Sequence, residues 1–503
     1  MRSFKEAEKT SNTPYITWLT IFLAALSVIR LIYIFKGPLD LSFDEAMYWE
    51  YSRRLALSYY EKGPLIAWLI SLGTALFGNT NFGVRVFAVL LSALTSVFIF
   101  KSGKYLYSEK TGFLSAVMLQ LVPLFNAQSI LMTIDAPYLF FWTLSFYIFL
   151  KATDAAEVKA KALWWGVLGI SVGLGLLTKN TMAFFIIAAF LYLLFDRTQR
   201  RQLAGPWPYI CLAVSITVFS PVIIWNASNG WLMLKHEAGH ANLGEGLTLD
   251  PHMLLNFVGS QLGVITPLLL VMMIISVIKL RKGPQGRLLL WFSAPVLVFF
   301  LAKSLQGKVQ GNWPMTGYVT CVIGFCEYYL KEYHQIRGSR KYFINIAIIL
   351  SAVITVISYY PPMTGLPPRM DPTTKLRGWS PAAKEISTIL TTLKDKAFIF
   401  SDNFQISAEM AFYVKGNPIT YCVNLGRRMN QYDLWPGPER YRGKNGIFVS
   451  NHDSLPEPVA RAFESCEKKS LKLRERGHKL RYYSIFICRG FSGSIDQEKP
   501  EGF

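Results

Sequence analysis

Residues 15–36 read YITWLTIFLAALSVIRLIYIFK. A membrane-crossing helix needs about 20 mostly apolar residues, and this stretch supplies them behind a short charged head. The small residues Ala24, Ala25 and Ser27 imitate a signal peptide, but the run continues through Tyr33 to Phe35, longer than an h-region. It predicts a retained first transmembrane helix. Outward from it, comparable runs occupy 82–100, 112–128, 135–150, 163–178, 181–195, 208–226, 254–278, 288–302, 314–330 and 342–360. The pattern is that of an all-α polytopic membrane bundle of about eleven transmembrane helices, a domain over residues 1–360.

Composition agrees. The 503 residues are 52% hydrophobic and 17% charged, where soluble chains carry ~25% charged residues. Mean hydropathy is +0.29. The formal net charge of +20 would suit nucleic acid or an anionic membrane surface. The basic residues cluster in short loops between apolar runs, with no zinc-finger spacing and no long basic tail, so the membrane is the partner and nucleic acid is not. Lys101, Lys104 and Lys110 fall in one loop, Lys151, Lys159 and Lys161 in another. Further loops hold Arg197, Arg200 and Arg201, then Lys279, Arg281, Lys282 and Arg287, then Lys331, Arg337, Arg340 and Lys341. Every second loop is basic, which puts the N-terminus in the cytoplasm and residues 361–503 outside.

That tail opens with Pro361, Pro362, Pro367 and Pro368, which break the last helix. Ser380-Pro381 reads as an N-cap and N1 pair. Strand-like runs at 397–401, 419–423, 446–450 and 482–488, interspersed with helical runs at 404–414 and 457–465, predict a small α/β domain. Cys211, Cys321 and Cys326 lie in apolar runs as packing residues. Of Cys422, Cys466 and Cys488 in the tail, Cys466 with Cys488 is the expected disulfide in an oxidising compartment.

Residues that can do chemistry gather on the outer face. The first outside loop, 37–81, carries Asp44-Glu45, Arg53 and Glu61-Lys62-Gly63-Pro64. Its pattern is helical over 44–58 and amphipathic over 64–77, the latter suited to a helix along the membrane surface. Acids in that place can be plain solvated residues, but Asp135 stands at the outer start of another helix. There its charge either caps the helix or faces a polar cavity. Lys179, in the outside turn Leu177-Thr178-Lys179-Asn180, violates the inside bias. It either snorkels to headgroups or neutralises an anionic substrate. Lys62, Lys303 and Lys308 also fall outside, and Arg30 lies near the outer end of the first helix. Acids and cations on one face suit a general base acting against a phosphate leaving group.

His236-Glu237-Ala238-Gly239-His240 matches the HExxH pattern. A zinc protease needs a third ligand and a continuous helix, whereas Gly239, Gly244 and Gly246 interrupt this segment and no Walker A sequence accompanies it. Metal or substrate binding by these histidines and a plain loop both stay open. Asn312, in Gly311-Asn312-Trp313-Pro314, is a weak candidate for touching a sugar beside an interfacial Trp.

Together these residues resemble the GT-C fold glycosyltransferases that use polyprenyl-phosphate sugars. Within that fold the chain is similar to bacterial relatives of protein O-mannosyltransferases and of lipid A aminoarabinose transferase. The resembling residues are Phe43-Asp44-Glu45-Ala46, Tyr60-Glu61-Lys62-Gly63-Pro64, Phe82-Gly83-Val84-Arg85, Asp135, and Gly173-Leu174-Gly175-Leu176-Leu177-Thr178-Lys179. They cover about the first 200 residues. Two departures stand out. Gly63 separates Lys62 from Pro64 where aminoarabinose-type relatives often carry Lys-Pro directly, and Asn180 stands where many relatives have Gly.

The resemblance implies inverting transfer of a sugar from a polyprenyl-phosphate donor to a hydroxyl of an envelope acceptor: lipid A or core, a lipid-linked glycan, or a protein. It implies a multi-pass protein of the bacterial inner membrane. Asp44 would be the general base in a catalytic first outside loop, and Asp135 the second acid. Lys62 and Lys179 would meet the donor phosphate; beside the resemblance, Arg53 is expected to join them, and Glu45 and Asn312 to touch the substrate. Glu61 with His240 would hold a divalent metal ion if one is used; no nucleotide cofactor is expected. The rival class is a transporter or flippase of a lipid-linked anionic sugar. Transporters place their polar site near the midplane, often between internal repeats; here the charges gather at one face and no repeat is visible. An enzymatic reporter fused after Phe503 is expected to report a non-cytoplasmic location; cytoplasmic activity would reverse the orientation.

Overall fold

In the computed structural model each apolar run is helical. It describes residues 14–37, 39–240, 250–331, 333–359, 371–393, 397–475 and 477–497. In chain order the helices are α1 (Tyr15–Lys36), α2 (Phe43–Ser52), α3 (Leu65–Phe77), α4 (Asn81–Leu106), α5 (Glu109–Leu121), α6 (Pro123–Ala127), α7 (Asp135–Asp154), α8 (Val158–Leu176), α9 (Ala183–Phe195) and α10 (Trp207–Ser228). There follow α11 (Leu232–His240), α12 (Pro251–Ile265), α13 (Pro267–Leu280), α14 (Pro284–Lys303), α15 (Met315–Phe325), α16 (Ser339–Tyr359), α17 (Trp379–Thr392), α18 (Phe404–Tyr413) and α19 (Glu457–Arg461). Strands β1 (Ala397–Ser401), β2 (Thr420–Cys422), β3 (Asn445–Ser450), β4 (Phe463–Glu475) and β5 (His478–Phe491) complete the tail.

Among the described residues, α1, α4, α10, α14 and α16 are each long and apolar enough to cross a membrane. The 254–278 run is not one straight span. It breaks by 94° between α12 and α13, at Thr266 with φ 79°, immediately before Pro267. A proline disfavours helical geometry in the residue ahead of it, so the bend falls there.

The chain divides into two units: Met1–Tyr33, Val86–Ile223 and Glu245–Tyr360 form one; Ile34–Arg85, Ile224–Gly244 and Pro361–Phe503 form the other. The second therefore contains more than the tail set apart at residue 360. Segment 34–85 joins it because α2 packs on α18 and Tyr60 N–H donates to Gln431 Oε1 at 2.7 Å, and segment 224–244 joins it through His236, whose ring lies 4.9 Å from that of Tyr60.

The helical unit has an aromatic centre. Phe292 of α14 meets Phe146 and Phe149 of α7 and Phe185 of α9 with centroids 5.0–5.3 Å apart. Within lipid, helices associate through close packing rather than water exclusion. Gly173 of α8 serves that: a Cβ there would lie 2.6 Å from Val218 Cβ on α10. Arg30 on α1 is buried and donates to Asn126 Oδ1 (2.8 Å), Tyr359 Oη (3.0 Å) and Ser92 Oγ (3.5 Å). An intramembrane cation is tolerated when it faces the bundle interior and is hydrogen-bonded; this one ties α1 to α4, α6 and α16.

In the second unit the sheet order is β2-β1-β3-β5-β4. β2, β1 and β3 are parallel; β5 runs antiparallel to both β3 and β4. Phe398 and Phe400 of β1 face one core and Ile399 the other, as a strand covered on both faces requires. The Cys466–Cys488 disulfide joins β4 to β5. Cys321, Cys326 and Cys422 are buried free thiols and Cys211 is half-buried.

Three local expectations are corrected. The helix expected over 44–58 ends at Ser52, because Tyr59 folds back and its hydroxyl donates to the Tyr51 carbonyl at 2.9 Å. The helical run 457–465 stops at Arg461 and gives way to β4, whose mostly charged, exposed residues mark a sheet edge. The tail's first helix is not capped by Ser380. It starts at Trp379, after Gly378 with φ 88°, and its cap is Asp40 Oδ2, which accepts from the N–H groups of Trp379 (2.8 Å) and Ser380 (3.3 Å). Pro361, Pro362, Pro367 and Pro368 lie outside the described residues.

Between α3 and α4 the chain turns at Gly78 (φ 75°), and a Cβ on Gly83 would sit 2.2 Å from the Gly78 carbonyl oxygen. Gly83→Ala is expected to cost about 1–3 kcal/mol through overpacking. A lowered Tm of the purified protein in detergent would register it; an unchanged Tm would mean that the turn relaxes freely.

Candidate active site

In the second unit the motif Phe43-Asp44-Glu45-Ala46 opens α2. Ser42 Oγ accepts from Glu45 N–H at 3.3 Å and Glu45 Oε2 accepts from Ser42 N–H at 2.9 Å, a reciprocal capping box. Glu45 also accepts two bonds from Arg85, Nε to Oε1 and Nη2 to Oε2, both 2.7 Å. Arg85 spends its remaining donors on the carbonyls of Leu39 and Asp40. Glu45 is 0% exposed and Arg85 1%. Glu45, expected to touch substrate, is thus taken up in a structural ion pair. Asp44 occupies the first turn of α2 and stays half-buried, where the helix dipole favours a negative charge.

Arg53 has a comparable structural engagement. Its guanidinium donates to Glu50 at 2.8 Å and to the carbonyls of Asn417 (2.9 Å) and Pro418 (3.3 Å), and it covers the Trp49 ring. Glu50 is fully buried, and burial pushes its carboxyl above the usual range.

The Tyr60-Glu61-Lys62-Gly63-Pro64 segment leads into α3. Tyr59 stacks on Tyr51 at 4.2 Å, and its N–H donates to the Lys62 carbonyl at 3.1 Å, so the Lys62 backbone is pinned while its side chain stays half-exposed. Glu61 and His236 line a cavity of about 390 Å³ within this unit. His236 is buried against Tyr60, ring centroids 4.9 Å apart. Burial pushes the Tyr60 phenol up to about 12, aided by the Glu61 charge. His236 and His240 do share one helix, α11, though the His240 side chain lies outside the described residues. Among the described residues no group of three or more His, Cys, Asp or Glu is placed to hold a metal ion, so no chemical step is routed through one.

The helical unit holds the other candidates, and these do meet. Asp135 opens α7 and is 3% exposed. Lys179 Nζ donates to its Oδ1 at 2.8 Å, and Asn312 Nδ2 donates to Oδ2. The Lys179 ammonium lies 5.4 Å from the centre of the Tyr138 ring, and Tyr138 Oη lies 3.0 Å from Thr316 Oγ1. Lys179 is an extended residue just after α8, leading into a 3-10 turn over Asn180–Met182. One of its three donors is used on Asp135, and its side chain is 13% exposed.

The geometry can now be set beside known proteins. Residues 61–225 match the family model described as dolichyl-phosphate-mannose-protein mannosyltransferase. Lipid A galacturonosyltransferase RgtD of Rhizobium johnstonii is 26% identical over 401 residues, 78% of this chain and 82% of that protein. An undecaprenyl phosphate-α-4-amino-4-deoxy-L-arabinose arabinosyl transferase of Pseudomonas paraeruginosa is 32% identical over 173 residues, 34% of this chain and 31% of that protein. The chain thus aligns with about a third of the length of the aminoarabinose transferase. ArnT from Cupriavidus metallidurans, solved bound to undecaprenyl phosphate, superposes with a TM-score of 0.65 at 12% identity, covering 96% of this chain and 100% of that one. The chain is a glycosyltransferase of the GT-C fold.

Among the motif residues Glu45, Gly83 and Arg85 hold the structure, and Asp135, Lys179 and Asn312 form one bonded group. Arg85→Met is expected to destabilise the protein by about 3–5 kcal/mol, since it strands a buried carboxylate. The double variant with Glu45→Gln should recover much of that loss. Chemical unfolding of both variants measures it, and equal losses would show that the pair is not the cause.

Proposed function

We propose that this enzyme transfers a sugar from an undecaprenyl-phosphate donor to a hydroxyl of a lipid A-type envelope glycolipid, with inversion. The observation that carries the reading is the arrangement at the head of α2. Glu45 is held by Arg85, and the adjacent Asp44 lies half-exposed in the first turn of the same helix. The names of the relatives supply the substrate classes: lipid A for the galacturonosyltransferase, and undecaprenyl phosphate for the aminoarabinose transferase and for the ArnT complex.

Asp44 takes the proton of the acceptor hydroxyl as its oxygen bonds the anomeric carbon. The bond from that carbon to the phosphate oxygen breaks, and polyprenyl phosphate leaves as an anion. Such a leaving group needs charge neutralisation more than a proton, which Lys62 and Lys179 supply. Asp135, fixed by Asn312, orients the Lys179 ammonium. The donor carries its own activation, so no nucleotide enters.

The loop charges support eleven crossings with the N-terminus in the cytoplasm and the tail outside an inner membrane. The Cys466–Cys488 disulfide favours the same side, since structural disulfides persist in oxidising compartments.

Purified protein in nanodiscs, given polyprenyl-phosphate sugars and envelope lipid extract, tests the chemistry. Asp44→Asn should lose turnover by about 10²–10⁴-fold with donor affinity kept; normal turnover would remove Asp44 as base. Lys62→Ala and Lys179→Ala should each weaken donor binding, and unchanged affinity in both would end the phosphate assignment.

A further inference from the structure

We infer that the cavity at the carboxyl ends of β1, β2 and β3, which Glu61 and His236 also line, is a saccharide site built for a sugar ring that carries a phosphate. In open sheets ligands bind outside the carboxyl ends of parallel strands, where the strand order reverses. β1 leads through α18 to β2 on one side, and β3 pairs on its other side, which makes that reversal.

The loops leaving the three strands supply the walls. Asp402 and Asn403 follow β1, Arg428 and Asn430 follow β2, and Asn451 and His452 follow β3; all six line the cavity of about 390 Å³. That size falls within the ~300–1,000 Å³ usual for small-molecule sites. The sequence hid this arrangement, because Asp402-Asn403 and Asn451-His452 become neighbours only when β1 and β3 pair in parallel.

The chemistry of the walls selects the ligand. Vicinal hydroxyls are held by amides and carboxylates, which donate and accept at short spacing. The Asp402 carboxylate is fixed by the hydroxyls of Ser401 and Ser450, both at 3.3 Å. Asn430 is 3% exposed. Its Oδ1 accepts from Tyr432 N–H at 2.9 Å, and its Nδ2 faces the Cys422 thiol, a weak acceptor. Arg427 is committed to Asp433 at 2.8 and 2.9 Å. Arg428 beside it is exposed, and no ion pair among the described residues holds it. Its planar fork of donors fits a phosphate. Assigning this ligand to the acceptor of transfer rests on the reaction proposed above; the existence of the site does not.

Calorimetric titration of the full-length protein in nanodiscs with glucosamine 1-phosphate, glucosamine and inorganic phosphate tests it. The phosphosugar is expected to bind saturably and at least ten-fold tighter than either half. Arg428→Ala, a change at an exposed loop, should lower its affinity at least ten-fold, and the shape-preserving Asp402→Asn should lower it too. Asp44→Asn should bind it as wild type does, so failure of the proposed base leaves this reading standing. Absent saturable binding, inorganic phosphate binding as tightly as the phosphosugar, or full affinity in both crevice variants would each overturn it.

Discussion

The bidentate pair between Glu45 and Arg85, both oxygens engaged at 2.7 Å and neither residue more than 1% exposed, is the constraint around which the second unit is arranged. Two buried charges give little net stability unless their donors and acceptors are used; here both Glu45 oxygens and all three Arg85 nitrogens are bonded. Arg85 reaches from the head of α4 to α2 and to the carbonyls of the preceding turn, while Glu45 closes the capping box of its own helix. The orientation of α2 follows, and with it the place of Asp44 one residue earlier. Because neighbouring helix positions point about 100° apart, a helix that buries Glu45 completely turns Asp44 elsewhere. Of the sequence pair Asp-Glu, Glu45 is therefore a structural acid, and Asp44 faces another direction.

A similar economy governs the helical unit. Asp135, Lys179 and Asn312 come from three distant parts of the chain and converge on one carboxylate. The charge of Lys179 is balanced without being extinguished, since an ammonium has donors left after one ion pair. Such a group can hold its shape with the site empty and still meet an incoming anion. The glycines ahead of it, Gly173 and Gly175, fit the close approach of α8 to Val218 and Met182, so the motif that announces Lys179 is mostly packing.

How much of this was legible in the sequence depends on the range of the forces involved. The apolar runs are helical, because long apolar stretches leave few alternatives. The strand runs of the tail appear as expected where both faces are buried, as in β1 and β3, and β4 was missed because an edge strand carries charge. Asp135 and Lys179 were picked out by their costly positions, but that they bind each other, with Asn312 as third member, is a tertiary fact without local signal. Asp40 is the clearest case. It caps a helix that begins more than three hundred residues later, and no local rule could replace Ser380 by it. Arg53 looked like a free cation until the carbonyls of Asn417 and Pro418 were seen to hold it.

The same reasoning about buried charge reaches Glu409 on α18, fully buried with neither carboxyl oxygen hydrogen-bonded. Arg85 is committed to Glu45, the Asp40 carboxylate faces the amino end of α17, and Arg481, whose charge also acts on Glu409, donates to the carbonyls of Thr374, Lys375 and Arg377. Burial pushes its carboxyl well above the usual range, and the nearby Asp40 adds to the shift. The folded state thus favours the protonated acid. Its contribution to stability is complete below the ordinary carboxylate pKa of about 4.3 and is lost as pH rises through the raised value in the fold. A neutral acid can be buried where a carboxylate could not, and this is how α18 lies against α2 with neither Glu409 oxygen bonded to an arginine.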